Sequence, residues 1–426
     1  MIQVTTLALL GLLATGIPVA ATLMLLAWGL SEVYSPFPLL SALGETAWTA
    51  MSNYLLFTIP LFVLMGEILL RSGIATKMYG ALAQWINWLP GGLMHANITA
   101  CTIFSATSGS SAATAATIGT VAIPQMDRYR YNRNLFLGTI AAGGTLGILI
   151  PPSINMIIYA AITNTSIPKL YLAGVVPGLI LATVFMLIVV ICCLLVPQWR
   201  GAKAPTSWRL RLTGLVDLLP PIVIFLAVLG SIYAGLATPT ESAALGVLAS
   251  LALAALQGRV SVQMLQSAFE GTLRITAMLM LIITTAFFLN FVMVAVGLVA
   301  AVNQFIMSLG LNPLEVMLII IGFYVILGCF MESLSMMITT LPIVAPIVTQ
   351  LGYDPVWFGV VLMILVEVAL ITPPVGINLF IVQAVRRKGS INDIILGSAP
   401  FVVGMFTMIG LLIAWPQIAL WLPALY

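Results

Sequence analysis

Charge is what this chain has least of: 6% of its 426 residues are Asp, Glu, Lys or Arg, against 62% hydrophobic residues and a mean hydropathy of +1.17. A soluble domain carries roughly 25% charged residues, so a water-soluble globule is excluded. No polar stretch is long enough to form a separate soluble domain. Histidine is almost missing too. His95 stands alone, with no His, Cys or carboxylate cluster around it, which argues against a metal centre and against an intramembrane enzyme with a nucleophile–base pair. The four cysteines (Cys101, Cys192, Cys193, Cys329) lie in apolar segments without CxxC spacing and read as small packing residues. A net charge of +3 gives no reason to expect nucleic acid as a partner. The N-terminal apolar run lacks a basic leader and is too long for a signal-peptide core, so a first membrane helix is expected there.

What is present is a polytopic all-α membrane protein. At 20 or so apolar residues per crossing, the length allows about ten to twelve spans. The fifteen Lys and Arg residues are clustered. Arg71 and Lys77 share a loop, and Arg128, Arg130 and Arg133 fill "DRYRYNR". Arg200, Lys203, Arg209 and Arg211 fill the longest polar loop, Arg259 and Arg274 follow, and Arg386, Arg387 and Lys388 form "RRK". Placing these loops in the cytoplasm, as the positive-inside rule requires, leaves turns near 32–50, 165–169, 236–241, 309–313 and 350–355 on the other side, with Lys169 as their only base.

That alternation works only if two segments enter the membrane and return. Residues 93–126 and 313–350 each have a polar or small-residue centre, "FSATSGSSAAT" and "GCFMESLSMM". Each reads as a re-entrant helical hairpin whose tip must be buried in protein or line a wet cavity. Each is followed by a span broken by two prolines, in 134–164 at Pro151-Pro152 and in 355–384 at Pro373-Pro374. Ser105 precedes Pro151 by 46 positions, and Gly328 precedes Pro373 by 45. The flanking loops carry opposite charge patterns, "DRYRYNR" against "TQLGYDP". The expected organisation is therefore an inverted repeat of 1–200 and 215–426 joined by a basic cytoplasmic linker at 201–214, with about 11 membrane helices plus the two hairpins.

Proline lacks an N–H and its ring clashes with the preceding turn, so two in succession orphan the carbonyls at about 147–150. In hydrocarbon each such group costs several kcal/mol. A monovalent cation could satisfy them, and the half-helix beyond the break offers a positively polarised N-terminus to an anion. Asn155 and Asn378 follow the two breaks, and their amides could brace the break or touch solute. The first tip offers Ser105, Thr107, Ser108, Ser110 and Ser111; the second offers Gly328, Glu332, Ser333 and Ser335. Glu332 and Glu367 are intramembrane acids that either handle ions or protons or serve as hydrogen-bonded structural groups. Glu67 and Glu241 fall near interfaces, where a structural role is expected. Arg274 is the one base close enough in sequence to a long apolar segment to be a candidate anion clamp.

The segments "PLFVLMGEILLRSG" (60–73), "FSATSGSSAATAATIGTVAIPQM" (104–126), "GGTLGILIPPS" (143–153), "GLATPTESAALG" (235–246), "GCFMESLSMMITTLPIVAPI" (328–347) and "ITPPVGINLF" (371–380) together resemble the large membrane subunit of tripartite ATP-independent periplasmic (TRAP) transporters, the DctM-like proteins. The resemblance covers essentially the whole chain. It implies an elevator-type fold and sodium-coupled uptake of an organic anion, such as a carboxylate, sialic acid or sulfonate, across the bacterial or archaeal cytoplasmic membrane. It also implies a small four-helix membrane subunit and a periplasmic solute-binding protein as partners. No four-helix extension precedes the first span, so the small subunit is expected as a separate chain. Sodium is implied as coupling ion, with no organic cofactor. The resemblance places a first sodium site at Ser105, Ser108, Gly147, Ile150 and Pro152, and a second at Gly328, Ala369, Thr372 and Val375, where Ala369 stands in place of a family glycine. Ser108, Ser110, Ser153, Asn155, Ser333 and Asn378 are the candidate substrate contacts. The competing reading is a two-hairpin elevator symporter for dicarboxylates or similar anions that works without a binding protein.

Overall fold

A computed structural model describes residues 1–202 and 206–426, the side chains of Ala14 and Met307 excepted; Lys203, counted above with the basic linker, lies outside the described residues. In chain order the helices are α1 (Ile2–Ala14), α2 (Val19–Tyr34), α3 (Leu43–Met51), α4 (Thr58–Ser72), α5 (Ile74–Ile86), α6 (Leu93–Ser108), α7 (Ser111–Arg128), α8 (Arg133–Leu149), α9 (Ile154–Thr163) and α10 (Ile167–Leu195). They continue with α11 (Trp208–Phe225), α12 (Ser231–Tyr233), α13 (Pro239–Leu256), α14 (Val262–Ala295), α15 (Leu298–Ser308), α16 (Pro313–Gly328), α17 (Ser333–Gln350), α18 (Pro355–Ile371), α19 (Ile377–Arg386) and α20 (Ile391–Ala414). No strand occurs among the described residues.

Eight of the described segments are long and apolar enough to cross a membrane, counting the α8–α9 stretch as one. Other apolar helices are only 10–17 residues long. Part of the shortfall from about 11 spans lies in the second broken span, whose halves α18 and α19 are each shorter than the roughly 20 residues of a full crossing, and part in the short α1 and α2. α6 and α7 pack on each other across a turn at Gly109 and Ser110, and α16 and α17 do so across Cys329–Glu332. The break between α8 and α9 is four residues, 150–153, and that between α18 and α19 is five, 372–376. Both Pro-Pro bonds in the breaks are cis.

Two helices form the axis of the molecule. Every residue from Leu135 to Leu149 in α8 and from Val356 to Ile371 in α18 is buried. Such helices are apolar all round, as a helix without a solvent face must be. Around them pack α6, α7, α9, α10, α16, α17, α19 and α20. A second group, α2, α3, α4, α13 and α14, packs mainly on itself and meets the first where α4 touches α6, α7 and α9 and where α14 touches α17. The linker is fastened to the first half: the Arg211 Nε donates to Gln84 O at 3.0 Å, the Trp85 Nε1 donates to Arg211 O at 3.2 Å, and the guanidinium lies 4.8 Å from the Trp208 ring centroid.

A third Pro-Pro pair shows that the dipeptide alone is not a break. α11 runs through Pro220-Pro221 and loosens into a π-helical turn at Leu226–Gly230. Two acids near span ends have structural partners. Glu241 closes a capping box with Thr238 at the start of α13, and Glu67 pairs with Arg71 one turn on in α4.

Candidate transport site

The two hairpin tips and the two breaks meet. At the first break, α8 comes so close to the first tip that a Cβ built on Gly147 would lie 2.9 Å from the Ser110 carbonyl carbon and 3.0 Å from Ser111 N. Only glycine permits that approach. The Pro152 carbonyl faces the same tip, 2.9 Å from where a Cβ would stand on Gly109, itself at φ +61°. Ile150 leaves the helix in an extended conformation, with its N–H still closing onto Leu146 O at 2.9 Å. Ser105 and Ser108 belong to the last turn of α6 instead of a non-helical tip. Ser105 accepts the Gly109 N–H on its carbonyl at 3.1 Å, and its buried hydroxyl has no hydrogen-bond partner among the described residues. The Ser108 hydroxyl bonds Thr114 at 2.9 Å, and its carbonyl oxygen faces Gly66 of α4.

At the second break the helix end is as closely packed, but the turn itself is exposed at Pro373 and Pro374. Gly328 ends α16 against Ala369, where a Cβ on the glycine would lie 2.5 Å from the alanine's own. The Thr372 hydroxyl is already used, donating to Val368 O at 2.6 Å, and Val375 sits half-buried in the turn.

Between tips and breaks lies a cavity of about 560 Å³. Ser110, Asn155, Ser333 and Asn378 line it; Ser108 and Ser153 do not reach its wall. Four helices begin in that wall: α7 at Ser111, α9 at Ile154, α17 at Ser333 and α19 at Ile377. Each N-terminus carries unsatisfied N–H groups and the positive end of a helix dipole, equivalent to about half an elementary charge. Three are capped by side chains. Ser110 accepts from Ala113 N at 3.4 Å, Ser153 from Met156 N at 3.5 Å, and Glu332 from Leu334 N and Ser335 N at 3.1 and 3.2 Å. α19 has Gly376 at its N-cap and so no side-chain cap. Glu332 is the single charged side chain in the wall, and its carboxylate also accepts from the hydroxyls of Ser333 and Ser335.

The paired asparagines have separate positions in this network, although each is the second residue of its half-helix. Asn378 donates through Nδ2 to Ala141 O at 3.2 Å, tying α19 to the middle of α8. The Nδ2 of Asn155 is buried with no partner among the described residues. Arg274 is exposed and absent from the wall, so it does not clamp a solute here. The opposite wall comes from Pro18, Val19 and Ala20 before and within α2 and from Ile275, Met278, Leu279 and Ile282 of α14. Sequence reasoning missed these residues, because an apolar side chain facing a cavity carries the same signal as one facing lipid. It also missed the N-termini of α7 and α17; Ser110 is an ordinary N-cap residue type and could have been found, whereas Glu332 is not one. No cluster of metal-binding side chains occurs among the described residues.

The chain matches the family model for the tripartite ATP-independent periplasmic transporter, DctM component, over residues 6–418. It is 31% identical over 442 aligned positions to the C4-dicarboxylate TRAP transporter large permease protein DctM of Vibrio cholerae, covering 98% of this chain and 96% of that one. It is 29% identical to the sialic acid TRAP transporter large permease protein SiaM of the same organism, covering 98% and 97%. Among solved structures, the Alcanivorax borkumensis YdaH transporter shares the fold, with a TM-score of 0.61 at 16% identity over 96% of this chain and 99% of that one. Motifs, fold and family match agree: the chain belongs to the DctM family of TRAP large permeases, multi-pass proteins of the bacterial inner membrane.

Proposed function

We propose that this permease imports a small organic anion by sodium-coupled secondary transport, in an elevator motion, with a small membrane subunit and a periplasmic binding protein as its partners. The observation that carries the anion is the convergence on one cavity, whose wall contains no Lys, Arg or His, of three helix N-termini without a carboxylate cap, those of α7, α9 and α19; the fourth, of α17, is neutralised by Glu332, so the anion belongs on the side of the other three. Partial charges on backbone N–H groups attract an anionic group without a buried base to desolvate, and the free Asn155 amide adds a side-chain donor. Large permeases similar to this chain are named for solutes as different as C4-dicarboxylates and sialic acid, so the shared element is the acidic group, which the N-termini suit. Sodium is supported at the first break, where the Pro152 carbonyl faces the Gly109 tip and the buried Ser105 hydroxyl has no partner among the described residues. Separate packing of the α8/α18 group and the α2/α4/α13/α14 group supports rigid movement of one against the other.

The test is uptake into proteoliposomes holding this chain and its small subunit, with binding protein and a labelled organic acid outside. Uptake is expected only with an inward sodium gradient and all three components present. Equal uptake by this chain alone, driven by a proton gradient, would overturn both the coupling ion and the tripartite arrangement. The acid to use is found by thermal-shift screening of the cognate binding protein.

A further inference from the structure

α11 carries an acid that the transport site does not use. The segment Trp208–Tyr233 is long and apolar enough to cross the membrane, and Asp217 stands inside it. Asp217 lies nine residues beyond Trp208, about 14 Å along the helix. Trp208 marks the linker end of the span, where its exposed ring lies against the Arg211 guanidinium. The Asp217 carboxylate is therefore at membrane depth. It is half-buried, and no ion pair or hydrogen bond reaches it among the described residues. The bases on α11 and on the helices packed against it are placed elsewhere. Arg211 donates to Gln84 O, His95 of α6 bonds Pro90 O, and Arg209 and Lys77 are exposed. α13 brings only Glu241, which closes its own capping box.

The backbone makes the same level of the helix richer in acceptors. Pro220 and Pro221 have no N–H, so the carbonyls four residues earlier, those of Val216 and Asp217, lose their helical donors. Two main-chain acceptors and one carboxylate thus stand together inside a membrane span. Lipid tails can satisfy none of them, and an unpaired polar or charged group is costly at that depth. α11 packs on α5, α6 and α13. Away from those contacts it turns Val216, Leu219 and Val223 outward, and α13 beside it turns Leu245 and Leu248 outward. A second copy of this chain does not suit the face, because a two-fold contact would put two Asp217 carboxylates into one interface with no base at their depth. Charge complementarity calls for a helix that brings a base into the membrane.

We propose that the face formed by α11 and α13 is where a transmembrane helix of the small subunit docks, through an Arg or Lys that pairs with Asp217 within reach of the Val216 and Asp217 carbonyls. This rests on the reading above that a small membrane subunit accompanies this chain. A basic side chain supplies several donors and the opposite charge, and at membrane depth it needs a partner as much as Asp217 does. Because α13 belongs to the α2/α4/α13/α14 group, a helix docked here braces the group against which the other moves.

The test uses the full chain and its small subunit in lipid nanodiscs. A photo-crosslinking amino acid placed at Leu219 should capture the small subunit, and one placed at Val403, exposed on α20, should not. Asp217→Leu should weaken binding of labelled small subunit by about tenfold or more, since truncating one partner of a buried charge pair leaves the other unpaired. Without the small subunit, Asp217→Leu should melt at or above the wild-type temperature, because no contact within this chain is lost. Asp217→Lys should bind more weakly still, and changing one intramembrane Arg or Lys of the small subunit to Glu should restore its binding. The proposal is overturned if Asp217→Leu binds the small subunit like wild type, or if no such exchange restores Asp217→Lys. It is equally overturned if Asp217→Leu lowers the melting temperature of the chain alone, which would assign the acid to this chain's own fold, or if the probe at Leu219 captures a second copy or only lipid. A wild type that binds no small subunit would sink the tripartite reading together with this one, whereas a normal wild-type complex and an unaffected variant would sink the docking face alone.

Discussion

In the first broken helix Ile150, Pro151, Pro152 and Ser153 are all buried; in the second, Pro373 and Pro374 are exposed and Thr372 and Val375 half-buried. The caps differ in the same sense. The first copy uses neutral hydroxyls, Ser110 and Ser153, and the second uses a carboxylate, Glu332, and leaves α19 without a side-chain cap. The asparagines divide likewise, Asn378 bound to α8 and Asn155 with a free amide. Two halves that repeat one sequence pattern have thus been given unequal work. The first is packed to close tolerance and presents donors; the second is open, carries charge and braces its neighbour.

The largest expected effect breaks this comparison on packing. Gly147→Leu has no room against the Ser110 backbone, and overpacking of this kind costs about 1–3 kcal/mol even where the surroundings yield. Reconstituted uptake should be abolished. Val375→Leu, in the half-buried second break, should retain most uptake, and equal loss in both would show that the two breaks are equally tight. Next, Thr372 holds φ −108°, whereas proline needs φ near −65°. Thr372→Pro should therefore remove the sodium dependence of uptake while the protein still extracts intact, and an unaltered sodium titration would move the second cation site elsewhere. Third, Asn155→Ala should raise the half-saturating substrate concentration by about tenfold or more, since a hydrogen bond to a charged group contributes about 1.5–3 kcal/mol. Asn378→Ala should leave that concentration nearly unchanged and lower thermal stability by about 1 kcal/mol. The reverse pattern in transport and melting assays would exchange the two roles. The smallest effect belongs to Ser153→Ala, a cap worth about 0.5–2 kcal/mol and nearer the low end because the bond is 3.5 Å long. It should appear as a modest loss of thermal stability without a change in sodium response.

The sequence allowed the hairpins and breaks to be located because they violate the pattern around them. Gly109, Pro151-Pro152 and Pro373-Pro374 stand out against runs that otherwise need only be apolar. The same logic explains what stayed hidden. Ser105 and Ser108 read as a tip because serine favours turns, yet α6 continues through them and ends only at Gly109, where the left-handed backbone stops it. Pro220-Pro221 shows the opposite failure, a breaker inside a continuous helix, and only the tertiary setting distinguishes it from the pairs at 151 and 373. The separate positions of Asn155 and Asn378 depend on a single 3.2 Å contact to Ala141, which no spacing along the chain encodes.

α14 also sets a scale of length. Its 34 residues make a rod of about 51 Å at 1.5 Å per residue, longer than the roughly 30 Å hydrocarbon core. In its middle, Ile275 to Ile282 form a wall of the cavity at the hairpin tips; towards its C-terminal end, Asn290 and Val294 line a second cavity of about 390 Å³ beside Thr163, Pro342 and Thr349. The eleven steps from Leu279 to Asn290 span about 17 Å of helix. On the proposed elevator motion, a solute passed from the first cavity to the second would be displaced by about that distance, and α14 is the ruler against which a paired-label distance measurement should be read.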